Sequence, residues 1–166
     1  MAQRRAIEVP KNCKFLGITL DQSLSFSDHI DDIAFRAKSR LNLLKALRGQ
    51  TWGASPETLL YSYRTYIRPI LEYGCILFSH ASEKLLKKIQ NVEVNVIKIA
   101  YQLPPCATNT WCYDMVSFDP ILNRLKTLSN KFITANQNDE LLKPLIEETK
   151  PSMTGLHSPL FKALNF

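Results

Sequence analysis

The chain has 166 residues, 45% of them apolar and 10% aromatic, enough for one packed domain or a domain plus a tail. No run reaches the ~20 apolar residues that span a bilayer, and no apolar stretch follows the charged start MAQRRAIEVPKNCK, so a soluble intracellular protein is expected. The net charge of +6 is uneven: residues 1–103 hold fifteen Lys or Arg against nine Asp or Glu, whereas residues 104–166 hold six of each. That asymmetry predicts a basic face for nucleic acid, acidic lipid or acidic protein, without choosing among them.

Residues 6–20, AIEVPKNCKFLGITL, read as strand, turn and strand, with turn chemistry in Pro10-Lys11-Asn12 and a bulge or close backbone approach at Gly17. A long helix is predicted from about Ser27 to Arg48. Ser27 is its expected N-cap, Asp28, Asp31 and Asp32 complement the helix N-terminus, and Ile30, Ile33, Ala34, Ala37, Leu41 and Leu44 form its buried face. Arg36, Lys38, Arg40, Lys45 and Arg48 fill its flanks with no acid between the first and the last.

A second helix starts at Ser55-Pro56-Glu57, a cap followed by proline in the first helical position, and Pro69 is expected to kink or divide it. A third starts near Ser82 with a stripe of Leu85, Ile89, Val92, Val96 and Ile99, and Pro104-Pro105 ends it. After a segment of undetermined structure around Trp111 and Tyr113, a fourth follows Asp119-Pro120 and runs to about residue 135. Beyond Asn136 the pattern fades into a linker or tail. The expected fold is mainly α: a short N-terminal β-hairpin, a bundle of about four helices and an irregular C-terminal tail.

The chemistry is sparse. Cys13, Cys75, Cys106 and Cys112 make no C-x-x-C pair and His29, His80 and His157 are scattered, so free thiols and no metal site are expected. The histidines read as partly exposed residues without a catalytic role. Asp31-Asp32 resembles a metal-binding pair, but both residues fall where the helix dipole already accounts for them. No G-x-S-x-G, P-loop or G-x-G-x-x-G occurs. Two features suit a polyanion. One is the basic run of the first helix, equally readable as a solvated flank. The other is the interleaving of Tyr61, Tyr63, Tyr66 with Arg64 and Arg68, equally readable as tyrosines packing the bundle.

Lys14-Phe15-Leu16-Gly17-Ile18-Thr19-Leu20-Asp21, followed by Leu24-Ser25-Phe26 and His29-Ile30, resembles the K-Y/F-L-G segment after the catalytic core of non-LTR retrotransposon reverse transcriptases. Leu59-Leu60-Tyr61 through Tyr66-Ile67-Arg68-Pro69-Ile70-Leu71-Glu72-Tyr73-Gly74 is similar to the thumb block of the same polymerases. Leu85 to Gln90 with Val92, then Asp119-Pro120-Ile121, follow in order. The resemblance covers about residues 12–135 and is closest to jockey-like elements.

It implies three regions: a palm-edge, primer-grip-like hairpin over 1–26, a helical thumb-like domain over 27–135, and a linker or tail over 136–166. Phe15, Leu16 and Gly17 would lie near a primer end. Arg36, Lys38, Arg40, Lys45, Arg48, Arg64, Arg68, Lys87 and Lys88 would contact an RNA or RNA–DNA template–primer duplex. The family's catalytic F/Y-x-D-D precedes the KFLG block, which only thirteen residues precede here. The expectation is therefore a polymerase fragment that is no enzyme on its own. It would need the palm and fingers, and Mg²⁺ would act only in the complete parent enzyme. The alternative is a helical protein–protein interaction module derived from such a thumb. No cofactor of its own and no membrane partner are expected.

Overall fold

The computed structural model describes residues 11–49, 53–136, 139, 140 and 143. The expected hairpin is present, with its turn later in the chain than Pro10–Asn12. β1 (Asn12–Phe15) pairs antiparallel with β2 (Ile18–Asp21), and Phe15 lies opposite Ile18. Leu16 and Gly17 make the two-residue turn with φ of 47° and 83°. Positive φ at both central positions matches the right-handed twist of the strands, so Gly17 is a turn residue rather than a bulge. The strand expected over residues 6–9 lies outside the described residues.

α1 spans Ser27–Arg48 and buries the predicted face from Ile30 to Leu44. Ser27 does not cap it. The residue before the helix is Phe26, in a left-handed conformation, and no side chain caps the first turn. Asp21 organises the entry instead. Its carboxylate accepts the backbone N–H of Phe26 at 2.8 Å and of Ser25 at 3.1 Å, together with the Ser23 and Ser25 hydroxyls. These donors hold the Asp21 carboxyl well below the usual carboxylate range.

α2 (Pro56–Ser62) starts as expected, with the Ser55 hydroxyl accepting from Thr58 N–H at 3.3 Å. The interruption forced by Pro69 is displaced towards the N-terminus: a π-helical turn over Tyr63–Ile67 leads into α3 (Arg68–Glu72). Proline lacks an N–H and its ring collides with the carbonyl four residues back, and the wider turn removes both demands. Gly74, at φ 72°, redirects the chain into α4 (Cys75–Phe78).

α5 (Glu83–Tyr101) buries Ile89, Val92 and Val96 of the expected stripe and ends where Gln102 turns left-handed. The segment left undetermined by the sequence is a short helix, α6 (Asn109–Asp114), capped by Thr108. α7 (Ile121–Ala135) closes the bundle. Most of the expected tail, residues 137, 138, 141, 142 and 144–166, lies outside the described residues.

The principal packing is α1 on α5, while α5 also touches α2, α6 and α7, and β2 rests on α1. Asp31 of α1 pairs with Lys88 of α5, and further along Lys45 and Arg48 share a cleft with Lys98. The two helices therefore run in the same direction.

Among the described residues one carboxylate lies inside the bundle. Glu93 is fully buried, although both neighbours in the chain are valines. Its Oε1 accepts from the Tyr63 hydroxyl at 3.0 Å. Its Oε2 accepts from the Tyr113 hydroxyl at 3.0 Å and from the Ile121 N–H at 2.7 Å. Four elements thus meet on one side chain: the π turn, α5, α6 and the start of α7.

Burial raises the Glu93 pKa above the ordinary value of 4.5, against the lowering effect of its three donors and of Arg68. A raised acid pKa in the folded state contributes stability that is complete below the unfolded value and lost as pH rises through the folded one. Glu93→Gln keeps the shape and removes the titration. In urea unfolding, wild type should therefore lose stability relative to Glu93→Gln as pH rises from 4.5 towards neutrality. A difference that stays flat across that range would refute the assignment.

Candidate nucleic-acid interface

The turn of the hairpin projects from the body of the protein. Phe15 is 64% and Leu16 74% exposed, which is unusual for large apolar side chains at a rigid turn. Tyr73 holds it in place: its hydroxyl donates to the Leu16 carbonyl at 2.7 Å and its ring edge lies against Gly17. Gly74 completes the contact, because a Cβ there would stand 2.7 Å from Ile18 Cδ1. The KFLG block and the end of the RPILEYG block are thus two sides of one contact.

The start of the RPILEYG block works internally. Arg68 is only 7% exposed. Its Nε lies 2.9 Å from Glu72 Oε1, an ion pair poorly aligned as a hydrogen bond, and its terminal nitrogen donates to the Asp119 carbonyl at 3.1 Å. Arg124 of α7 donates to the same Glu72 oxygen at 3.2 Å. The guanidinium also stacks over Phe118. Arg68 thereby joins α3 to the approach to α7, and with Arg64 and Arg124 it lines a cavity of about 470 Å³.

The other expected contact residues divide by partner. Arg36 pairs with Asp32 at 3.0 Å, Lys87 with Glu83 at 2.8 Å, and Lys88 with Asp31 across the α1–α5 seam. Among the described residues Lys38, Arg40, Lys45, Arg48 and Arg64 have no carboxylate partner. Arg40 lies 4.5 Å from the centre of the Tyr66 ring and Arg64 5.3 Å from that of Phe118. Tyr66 and Tyr61 are exposed, whereas Tyr63 is core, so the tyrosine series serves both readings.

The polar residues considered for chemistry are mostly accounted for by structure. Asp31 and Asp32 are engaged by Lys88 and Arg36. Among the described residues no group of three or more His, Cys, Asp or Glu is placed to hold a metal ion. His29, expected to be partly exposed, is fully buried against Phe78, and burial lowers its pKa. His80 packs edge-on to Phe26, and His157 lies outside the described residues. All four cysteines are free; Cys75 and Cys112 are buried, Cys13 and Cys106 exposed. No helix among the described residues is long and apolar enough to cross a membrane.

Over 123 residues, 74% of this chain, the sequence is 24% identical to a probable RNA-directed DNA polymerase from transposon X-element of Drosophila melanogaster. Over 88 residues, 51% of this chain, it is 35% identical to the RNA-directed DNA polymerase from mobile element jockey of the same organism. The resemblance to jockey-like reverse transcriptases is borne out. The aligned stretches amount to 14% and 9% of those polymerases. No protein-family model matches the chain, and no solved structure matches it.

Sequence reasoning missed Glu93 and the inward role of Arg68. The signal for the first was present: an acid flanked by Val92 and Val94, one turn from both Ile89 and Ile97. Two substitutions test the hairpin contact. Tyr73→Phe should cost about 1 kcal/mol through its lost hydrogen bond. Gly74→Ala should cost about 1–2 kcal/mol through left-handed strain, and more through the clash with Ile18. Thermal unfolding monitored by circular dichroism measures both, and unchanged midpoints would overturn the contact.

Proposed function

We propose that this chain is a polymerase segment that binds the template–primer duplex during RNA-templated DNA synthesis, without catalytic carboxylates of its own. In this reading the hairpin turn, Phe15-Leu16-Gly17, abuts the primer end. The cations of α1, with Arg64, lie along the phosphate backbone. The observation that carries the reading is the stretch Arg36–Arg48 of α1, where four of five cations lack a carboxylate partner among the described residues. Unpaired cations release counterions when they meet phosphate, which supports sequence-independent binding. The metal chemistry of synthesis would come from the palm of a complete enzyme, and Mg²⁺ would enter there. Similarity to named polymerases supports this reading.

The expected outcome is salt-sensitive binding of an RNA–DNA hybrid, tight at about 50 mM and weak at about 200 mM salt. Lys38→Glu with Arg40→Glu should abolish it while leaving the helical circular-dichroism signal intact. No retention of wild type at either salt in filter binding would sink the proposal.

A second reading, a protein-interaction module, is favoured by the outer side of α1. Phe35, Leu43 and Leu47 are 70%, 47% and 45% exposed, and they follow four- and eight-residue steps opposite the buried face. Light scattering separates the two readings. A thumb parted from its palm should self-associate through this stripe, and Phe35→Ser with Leu43→Ser should disperse it. A monodisperse wild type points to the adapted module.

A further inference from the structure

Resting on the reading of a nucleic-acid contact surface, we infer that the cleft between the C-terminal halves of α1 and α5 is a phosphate-binding site. Lys45, Arg48, Lys98 and Asn95 are its polar lining. The cleft encloses about 380 Å³, and its apolar floor includes Leu41 and Ile99. Among the described residues no acidic side chain lines it.

The parallel course of the two helices builds the site. Running side by side, they bring both last turns to one place, so cations 50 residues apart in the chain (Arg48 and Lys98) share a wall. Along the polar stripe of α5, Lys84, Lys88, Asn91, Asn95 and Lys98 recur at helical spacing without an acid among them. Asn91 and Asn95 are exposed between buried valines, isoleucine and Glu93. Two amides flanked by ammonium groups are donors suited to phosphate oxygens and neighbouring sugar hydroxyls.

A plainer account of these cations is that they complement the two helix C-termini. Three of the terminal carbonyls, however, already have partners. Gly49 N–H donates to Ala46 O at 3.3 Å and Ala54 N–H to Leu47 O at 2.9 Å, while Gln102 and Leu103 N–H both reach Lys98 O. Each helix end amounts to roughly half a negative charge, and three full positive charges exceed the pair. Donors also remain unused. Arg48 Nε is buried without a hydrogen-bond partner among the described residues. The Lys98 ammonium donates one proton to Pro105 O at 2.7 Å, which fixes its position and leaves two for a ligand.

A phosphate here belongs either to a nucleic-acid backbone or to a free ion, and two measurements on the full chain distinguish these sources. The first is fluorescence anisotropy with a labelled RNA–DNA hybrid between about 50 and 200 mM salt. Lys45→Ala with Lys98→Ala should weaken binding about tenfold or more at low salt and flatten the log–log salt slope by about 1–2. Lys45→Arg with Lys98→Arg should restore both, and Lys131→Ala, which removes an exposed cation of α7 outside the cleft, should change little. The second is titration with inorganic phosphate while following the Asn95 side-chain amide by NMR.

If wild type binds the hybrid and the double alanine variant binds with equal affinity and slope, the cleft assignment is overturned while the duplex-binding reading stands. If wild type binds no hybrid, that reading fails. The cleft then stands only as a free-phosphate site, shown by an Asn95 shift that the double variant lacks. Absence of both signals overturns the site outright.

Discussion

The bundle depends on a carboxylate buried where only apolar side chains are expected. A charged or polar group removed from water costs several kcal/mol unless its hydrogen bonds are replaced. Glu93 recovers them from Tyr63, Tyr113 and the Ile121 N–H. These donors come from three different elements, and only one arrangement of the bundle brings them together. The apolar stripe of α5 would accept many packings. The Glu93 acceptors accept far fewer, and this sets where α6 and the start of α7 sit against the π turn.

From that fixed centre the two conspicuous sequence blocks acquire distinct tasks. Arg68 and Glu72 face the bundle, joining α3 to the approach to α7 through Asp119 and Arg124. Tyr73 and Gly74, the next residues, face the hairpin and hold its turn. A run of seven residues therefore couples the helical body to the projecting Phe15 and Leu16. The hairpin is positioned by Tyr73, Gly74 and the packing of β2 on α1 rather than by its own two short strands, which alone are too few for stability.

Much of this was legible in the sequence. Ser55-Pro56 fixed the start of α2, the spacing from Ile30 to Leu44 gave the buried face of α1, and the ordered blocks gave the likeness to jockey-like polymerases. Turn chemistry misled at the hairpin. Pro10-Lys11-Asn12 is the stronger composition signal, yet Leu16-Gly17 satisfies the backbone twist, and composition does not report φ. The capping assignment at Ser27 failed because Ser27 is already in the helix: the Ile30 N–H that it would have capped donates to the Phe26 carbonyl. At the candidate interface the positions of the cations on α1 were readable, but their ion pairs were not. Asp31 reaches Lys88 only because two helices distant in sequence lie side by side. Burial of Arg68 and His29 is likewise a tertiary outcome that local patterns leave open.

The shared direction of α1 and α5 also governs the order of assembly on the ribosome. Antiparallel neighbours can zip from a short connection, whereas parallel ones need an intervening crossover, supplied here by residues 49–82. When α1 emerges its principal mate is still unmade; β2, α2 and α3 cover its inner side only in part until the chain has been made as far as Tyr101. Such long-range closure slows folding and leaves a window for intermolecular association. The cations that flank α1 give the nascent helix like-charge repulsion between copies during that wait.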